Sequence, residues 1–185
     1  MSNFIFTKTE IKDVYIVDVK CHGDNRGYFM ETYNEDEFIR ANLNYKFVQD
    51  NQSASVKGVL RGLHFQKKYP QAKLVRVIKG EVFDVAVDLR KNSKTYAKWI
   101  GVFLSENDKR QLIIPRGFAH GFITISDYAE FSYKCDEFYH PEDEGGIIWN
   151  DSVINIKWPT VDEIILSDKD KNHLSLSKSR IVFDI

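Results

Sequence analysis

Glu81-Val82-Phe83-Asp84-Val85-Ala86-Val87-Asp88-Leu89 is the stretch that decides the fold. It is rich in valine, too short for an ordinary helix, and preceded by a Lys79-Gly80 turn signal. Successive side chains of a strand point to opposite faces. Val82, Asp84, Ala86 and Asp88 therefore share one face, and Phe83, Val85, Val87 and Leu89 share the other. That alternation suits the wall of a barrel. Strand patterns continue in both directions from it. Upstream they cover residues 14–19, 28–33, 47–55, 59–65 and 74–78; downstream they cover 99–104, 110–114, 120–125 and 130–135. Asp24-Asn25-Arg26-Gly27 and Glu106-Asn107-Asp108 supply further turns. Asn34-Glu35-Asp36-Glu37 has the form of a capping box and predicts one short helix to about Arg40. Many short, turn-punctuated strands predict a mainly β protein, an antiparallel sandwich or jelly-roll barrel with a few short helices. From about Trp158 the chain is more polar and is expected to form helical or irregular structure packed on the barrel.

At 185 residues, the chain has the length of one domain, 1–185, with no boundary, repeat or low-complexity tract. Its 43% hydrophobic and 14% aromatic content is enough to fill a core. A net charge of -1 gives no general attraction to nucleic acid or anionic membranes, so neither is expected as a partner. No apolar run approaches the roughly 20 residues of a membrane span. Met1-Ser2-Asn3-Phe4 shows no basic region leading into a signal-like core. The two cysteines, Cys21 and Cys135, suit a reducing compartment. The expectation is a cytoplasmic protein.

Two stretches carry candidate chemistry: Arg61-Gly62-Leu63-His64-Phe65-Gln66 and Pro115-Arg116-Gly117-Phe118-Ala119-His120-Gly121-Phe122. Each sets a histidine beside a glycine in a strand-like run, and histidine exchanges protons near neutral pH. A concave site using metal ligation or proton abstraction fits both. Cupin-type barrels usually bind metal through a His-x-His pair and a third histidine in Pro-x-Gly-x-x-His. Pro115, Gly117 and His120 match the second half, but the residue two after His64 is Gln66, so no metal or other cofactor is expected. A glycine next to a functional strand residue also allows close ligand approach.

Other candidates have ordinary alternatives. Tyr133 is a general acid or a core aromatic. Lys73, at the start of an apolar strand, either faces solvent or meets an anion or enolate inside the barrel. Arg26, Phe29 and Glu31 combine a cation, a ring and a carboxylate that could hold a nucleotide, or they form an amphipathic edge strand. Tyr139 stacks on a planar ligand or is a plain loop aromatic. Cys135 is read as a small buried hydrophobe.

Together these segments resemble the dTDP-4-dehydrorhamnose 3,5-epimerase family. The similarity runs in order through Asp24-Asn25-Arg26-Gly27-Tyr28-Phe29, Gln49-Asp50-Asn51, 58–66, Gln71-Ala72-Lys73-Leu74-Val75, 85–90 and 114–122. It continues through Tyr133-Lys134, Glu144-Gly145-Gly146-Ile147, Trp149-Asn150-Asp151 and Leu166-Ser167-Asp168-Lys169-Asp170. The resemblance implies a metal-independent, cupin-like fold that inverts C3 and C5 of dTDP-4-dehydro-6-deoxy-D-glucose, giving dTDP-4-dehydro-L-rhamnose for dTDP-L-rhamnose synthesis. It implies His64 as base, Asp170 as its orienting partner and Tyr133 as acid. Lys73 and His120 would lie near the keto group and its enolate, and Arg61 near the diphosphate. Arg26, Phe29, Glu31, Gln49, Asp50 and Asn51 correspond to nucleotide positions, Tyr139 to the ring stacking on thymine, and Glu144 and Lys169 to further substrate contacts. A homodimer whose N-terminal strands cross to the partner is also implied. The chain departs from the family where His-Ser-Arg-Ser often follows Asn51; here the run is Gln52-Ser53-Ala54-Ser55. The signal fades after about His173.

Three other classes compete. A relative could invert only C5 or only C3 of a related nucleotide-linked 4-keto sugar. A metal-dependent cupin enzyme or a non-catalytic sugar-binding barrel would use the same architecture.

Overall fold

A computed structural model describes residues 2–185. Met1, part of the expected 1–185 domain and of the N-terminal segment read above, lies outside the described residues. Thirteen strands run through the described residues: β1 (Phe4–Lys8), β2 (Tyr15–Val19), β3 (Cys21–Asp24), β4 (Gly27–Met30), β5 (Gln49–Val56), β6 (Leu60–Gln66), β7 (Lys73–Lys79), β8 (Glu81–Asp88), β9 (Trp99–Ser105), β10 (Gln111–Ile114), β11 (Phe118–Thr124), β12 (Tyr128–Cys135) and β13 (Glu144–Gly146). Three short helices accompany them: α1 (Glu35–Arg40), α2 (Asp168–Lys171) and α3 (Leu176–Ser179). One antiparallel sheet has the order β1-β2-β10-β7-β12-β5, and a second has β13-β6-β11-β8-β9. The hairpin β3-β4 stands apart from both. This is the antiparallel jelly-roll architecture that the strand pattern predicts.

The alternation of β8 explains how the layers meet. Val82 and Ala86 pack into a core shared with Val75 and Val77 of β7, Leu112 of β10 and Phe131 of β12, which lies between the sheets. Phe83, Val85 and Val87 face outward, but not into water. They are covered by Ile147, Ile154, Leu176 and Phe183 from the C-terminal third of the chain. The segment after Trp158 is thus largely irregular with two single-turn helices, and it closes the outer face of the five-stranded sheet. α1 does the same for the other sheet, inserting Phe38 edge-on against Phe4, Phe6 and Tyr33.

The capping box is half formed. Asn34 Oδ1 accepts from the Glu37 backbone N–H at 3.3 Å, while the Glu37 carboxylate accepts from Arg40 instead of reaching back to Asn34. The strand expected over 28–33 ends at Met30. Beyond it, the Glu31 carboxylate accepts from the side chains of Asn3 and Asn34 and anchors the turn into α1. β1, β3 and β13 were outside the expected set. β3 is exposed along its whole length, so it carries no apolar alternation. β13, Glu144-Gly145-Gly146, forms by pairing with β6.

Candidate active site

β6 and β11 pair antiparallel, and their register makes His64 and His120 direct cross-strand partners. The adjacent glycines explain how closely these strands approach. A Cβ built on Gly62, which has φ +125°, would lie 2.5 Å from Gly121 Cα, and one on Gly121 would lie 2.7 Å from the Arg61 carbonyl oxygen. The close approach expected beside these histidines is therefore that of one strand to another. Gly121 also falls where the β6–β11 register shifts.

The two histidines line a cavity of about 270 Å³ between the sheets, together with Arg61, Lys73, Phe131 and Tyr133. His64 Nε2 lies 2.5 Å from Asp170 Oδ1, whose N-cap residue Ser167 starts α2. Burial alone would raise the Asp170 carboxyl. The hydrogen bond and charge of His64 outweigh it and hold Asp170 below the ordinary carboxylate range. An ionised Asp170 accepts a proton-bearing Nε2 and leaves the lone pair of a neutral His64 on Nδ1. His120 is held by a second carboxylate, with Nε2 2.7 Å from Asp84 Oδ2.

Lys73 opens β7, and its Nζ lies 5.5 Å from the centroid of the Tyr133 ring. Desolvation pushes the Lys73 ammonium down from its ordinary pKa, against the pull of Cys135, Asp84 and Glu144. Such a cation favours any anion that enters. Tyr133 is pushed up to about 12, chiefly by desolvation, so its phenol stays protonated across the neutral range. Cys135, pushed up to about 11 by desolvation, is a thiol and not a thiolate, as its reading as a small hydrophobe requires.

Arg61 donates to Ser55 Oγ at 3.1 Å and to the Ala54 carbonyl at 3.2 Å. Ala54, where the family often has arginine, thus meets Arg61 through its backbone carbonyl alone. Asn51 lines the same cavity, and Gln49 Nε2 donates to Asn51 Oδ1. Tyr139 donates its hydroxyl to Glu144 at 2.6 Å, and Glu144 is also paired with Lys169. Burial would raise Glu144, but Lys169 and Tyr139 together hold it low. The hydrogen bond to Glu144, more than desolvation, pushes Tyr139 up to about 12.

Eight expected contacts do not line this cavity: Gln49, Tyr139, Glu144 and Lys169, bonded as described above, and Asp50, Arg26, Phe29 and Glu31. Asp50 points from the opposite face of β5 and pairs with Lys134 at 2.9 Å, beside an adjoining hollow of about 340 Å³ that shares Asn51, Gln52 and Tyr133 with the cavity. Arg26 and Phe29 lie on the β3-β4 hairpin; the Arg26 side chain is 85% exposed and paired to Asp24, and Phe29 is 73% exposed. Glu31 is engaged with Asn3 and Asn34.

Three contacts around the site went unread. Asp84 shares a face with Val82, Ala86 and Asp88 in the sequence reading, which does not tie it to His120; an acid among valines signals a buried partner. Gln66, where a second metal ligand would stand, donates to the carbonyls of Tyr69 and Phe138 and accepts from the His140 N–H. It ties the loop after β6 to the 138–140 stretch that carries Tyr139. His173 packs against His64 with no local motif to announce it.

The family model for dTDP-4-dehydrorhamnose 3,5-epimerase matches residues 8–178. The chain belongs to this epimerase family. It is 54% identical over 183 residues to the dTDP-4-dehydrorhamnose 3,5-epimerase of Methanothermobacter thermautotrophicus, covering 98% of this chain and 99% of that one. Its fold superposes on the crystal structure of the Elizabethkingia anophelis epimerase with a TM-score of 0.92 at 49% identity, covering 97% and 100% of the two chains. A dTDP-6-deoxy-D-glucose-3,5-epimerase from Legionella pneumophila, solved in complex with dTDP-4-keto-L-rhamnose, also superposes with a TM-score of 0.92. That match has 46% identity and covers 94% and 93%. The architecture is therefore cupin-like and the chain is an isomerase of the epimerase family. Among the described residues, no helix is long and apolar enough to cross a membrane.

Proposed function

We propose that the chain epimerises dTDP-4-dehydro-6-deoxy-D-glucose at C3 and C5 by proton transfer through an enolate. The observation that carries this is the joining of the His64–Asp170 pair, Tyr133, Lys73 and His120 in one cavity of a family member. Both reacting carbons flank the C4 ketone, so removing either proton places negative charge on the ketone oxygen. His64, whose Nδ1 lone pair is left free by the hydrogen bond from Nε2 to Asp170, takes the proton. Lys73 and His120 stabilise the oxyanion, and Tyr133 returns a proton on the opposite face. Arg61 contacts the diphosphate, and the nucleotide positions the sugar through remote binding energy.

The nucleotide end needs a second copy of the chain. Arg26, Phe29 and Glu31 lie away from the cavity of their own chain, and the exposed hairpin that carries two of them is available to a partner. We therefore take the active form to be a homodimer with exchanged N-terminal strands. The unpaired Cys21 and Cys135 support a cytoplasmic location.

Incubation with this substrate in D2O, followed by NMR, tests the assignment. Deuterium should appear at both C3 and C5. Label at one carbon alone would make the chain a single-centre epimerase, and ligand binding without any exchange would make it a binding barrel.

A further inference from the structure

His64 and Asp170 have a third neighbour that the epimerisation leaves unused. His173, two residues beyond α2, packs edge-on against His64, with ring centroids 5.6 Å apart at 76°. Its Nε2 lies 3.5 Å from Asp170 Oδ1, is buried, and has no hydrogen-bond partner. The space for this ring is specific: a Cβ on Gly146 of β13 would fall 2.3 Å from His173 Nε2. His64 Nε2, Asp170 Oδ1 and His173 Nε2 all lie within 4.8 Å of one another.

We propose that His64, Asp170 and His173 form a site for a borderline transition-metal ion of the Zn²⁺ type, and that filling it takes the His64 base out of use. Two imidazole nitrogens and one carboxylate oxygen are a common donor set for this ion, and they leave a fourth position for water. Tetrahedral bonds of about 2.0–2.2 Å require the donors to stand somewhat further apart than the present His64–Asp170 hydrogen bond. The metal thus takes the place of the proton between them. A neutral imidazole has one lone pair. When His64 Nε2 gives its lone pair to the metal, its proton moves through solvent to Nδ1, and Nδ1 can no longer accept one from carbon. No net proton is gained or lost and no redox change occurs. The orphaned nitrogen of His173, which no other group satisfies, becomes a ligand. The proposal rests on His64 being the base of the epimerisation.

The test adds CoCl2, as a visible stand-in for Zn²⁺, to the full-length metal-free enzyme. One Co²⁺ should bind per chain with the strong visible absorption of a low-coordinate site. Carbon-bound hydrogen exchange should fall in step with occupancy and return on adding EDTA. His173→Phe keeps a ring in the Gly146 cradle and removes the donor; His173→Gln is the second variant. Both should still exchange carbon-bound hydrogen in metal-free buffer. Outer-shell partners alone are worth about 10–100-fold in metal affinity, so losing a ligand should weaken Co²⁺ binding by at least ~100-fold. Absence of the absorption up to about 1 mM Co²⁺ would overturn the proposal. So would undiminished binding by both variants, or full occupancy without loss of exchange. Failure of the epimerase assignment appears separately, as no exchange by the metal-free wild type, while the Co²⁺ spectra of wild type and variants still report on the three ligands.

Discussion

His64 and Asp170 lie 106 positions apart in the chain, and their 2.5 Å contact sets which imidazole nitrogen is basic. Asp170 can do this because it is held ionised below the ordinary carboxylate range. Asp170→Asn keeps the size of the side chain and loses that control. An amide that donates to Nε2 reverses the tautomer and puts the N–H of His64 on Nδ1. Turnover and carbon-hydrogen exchange should therefore fall by about 10²–10⁴-fold, the range of a positioned base, with KM little changed. Steady-state kinetics and D2O exchange on the variant measure this directly. Turnover within a few-fold of wild type would move the proton acceptor to another residue. Tyr133, on the same cavity, is pushed up to about 12 and holds its proton across the neutral range, as the proposed acid must.

At the scale of elements, the crossing of β6 and β11 sets the distance between the two histidines. Gly62 and Gly121 face each other there, each too close to the other strand for a Cβ. Gly121→Ala forces the strands apart in a packed sheet. Overpacking of this kind costs about 1–3 kcal/mol, and at this chain length each kcal/mol shifts Tm by about 2–4 °C. Thermal unfolding should show Tm lower by about 2–12 °C, with activity reduced because His120 is displaced from His64. An unchanged Tm would mean that the strands have room to spare. These elements also show what was legible in the sequence. The alternation in β8 assigned each side chain to its face, because a period of two is a local property. It did not reveal that Phe83, Val85 and Val87 are covered by residues from Ile147 onward, because that layer depends on distant chain. The histidines and Tyr133 stood out as strand-borne chemistry. Asp170 is tied to His64 only through the family resemblance, and His173 has no signal at all, since both come from the C-terminal segment, more than 100 positions beyond His64. β3 was unreadable for a physical reason: a strand exposed on both faces has no hydrophobic period.

The whole molecule poses the question of where its nucleotide contacts are completed. The β3-β4 hairpin exposes Tyr28 at 57% and Phe29 at 73%, and belongs to neither main sheet. Two neighbouring exposed rings on an isolated hairpin are poor surface for a monomer and good surface for a partner. If the hairpin serves the partner's cavity, each active site combines His64 from one chain with Arg26 and Phe29 from the other. Two defective chains should then repair each other. His64→Ala lacks the proposed base, and Arg26→Ala with Phe29→Ala lacks the proposed nucleotide clamp; each alone should be nearly inactive at low substrate. In a heterodimer, one site carries both defects and the other carries neither. Co-expression with two affinity tags gives random pairing, in which about half the dimers are mixed, so the preparation should recover about a quarter of wild-type activity. Purification through both tags should raise this to about half, the fraction of intact sites in a pure heterodimer. A mixture no more active than the average of its parents would place the hairpin in its own chain's site or outside the site altogether. A single-chain mass in sedimentation would exclude the exchanged dimer outright.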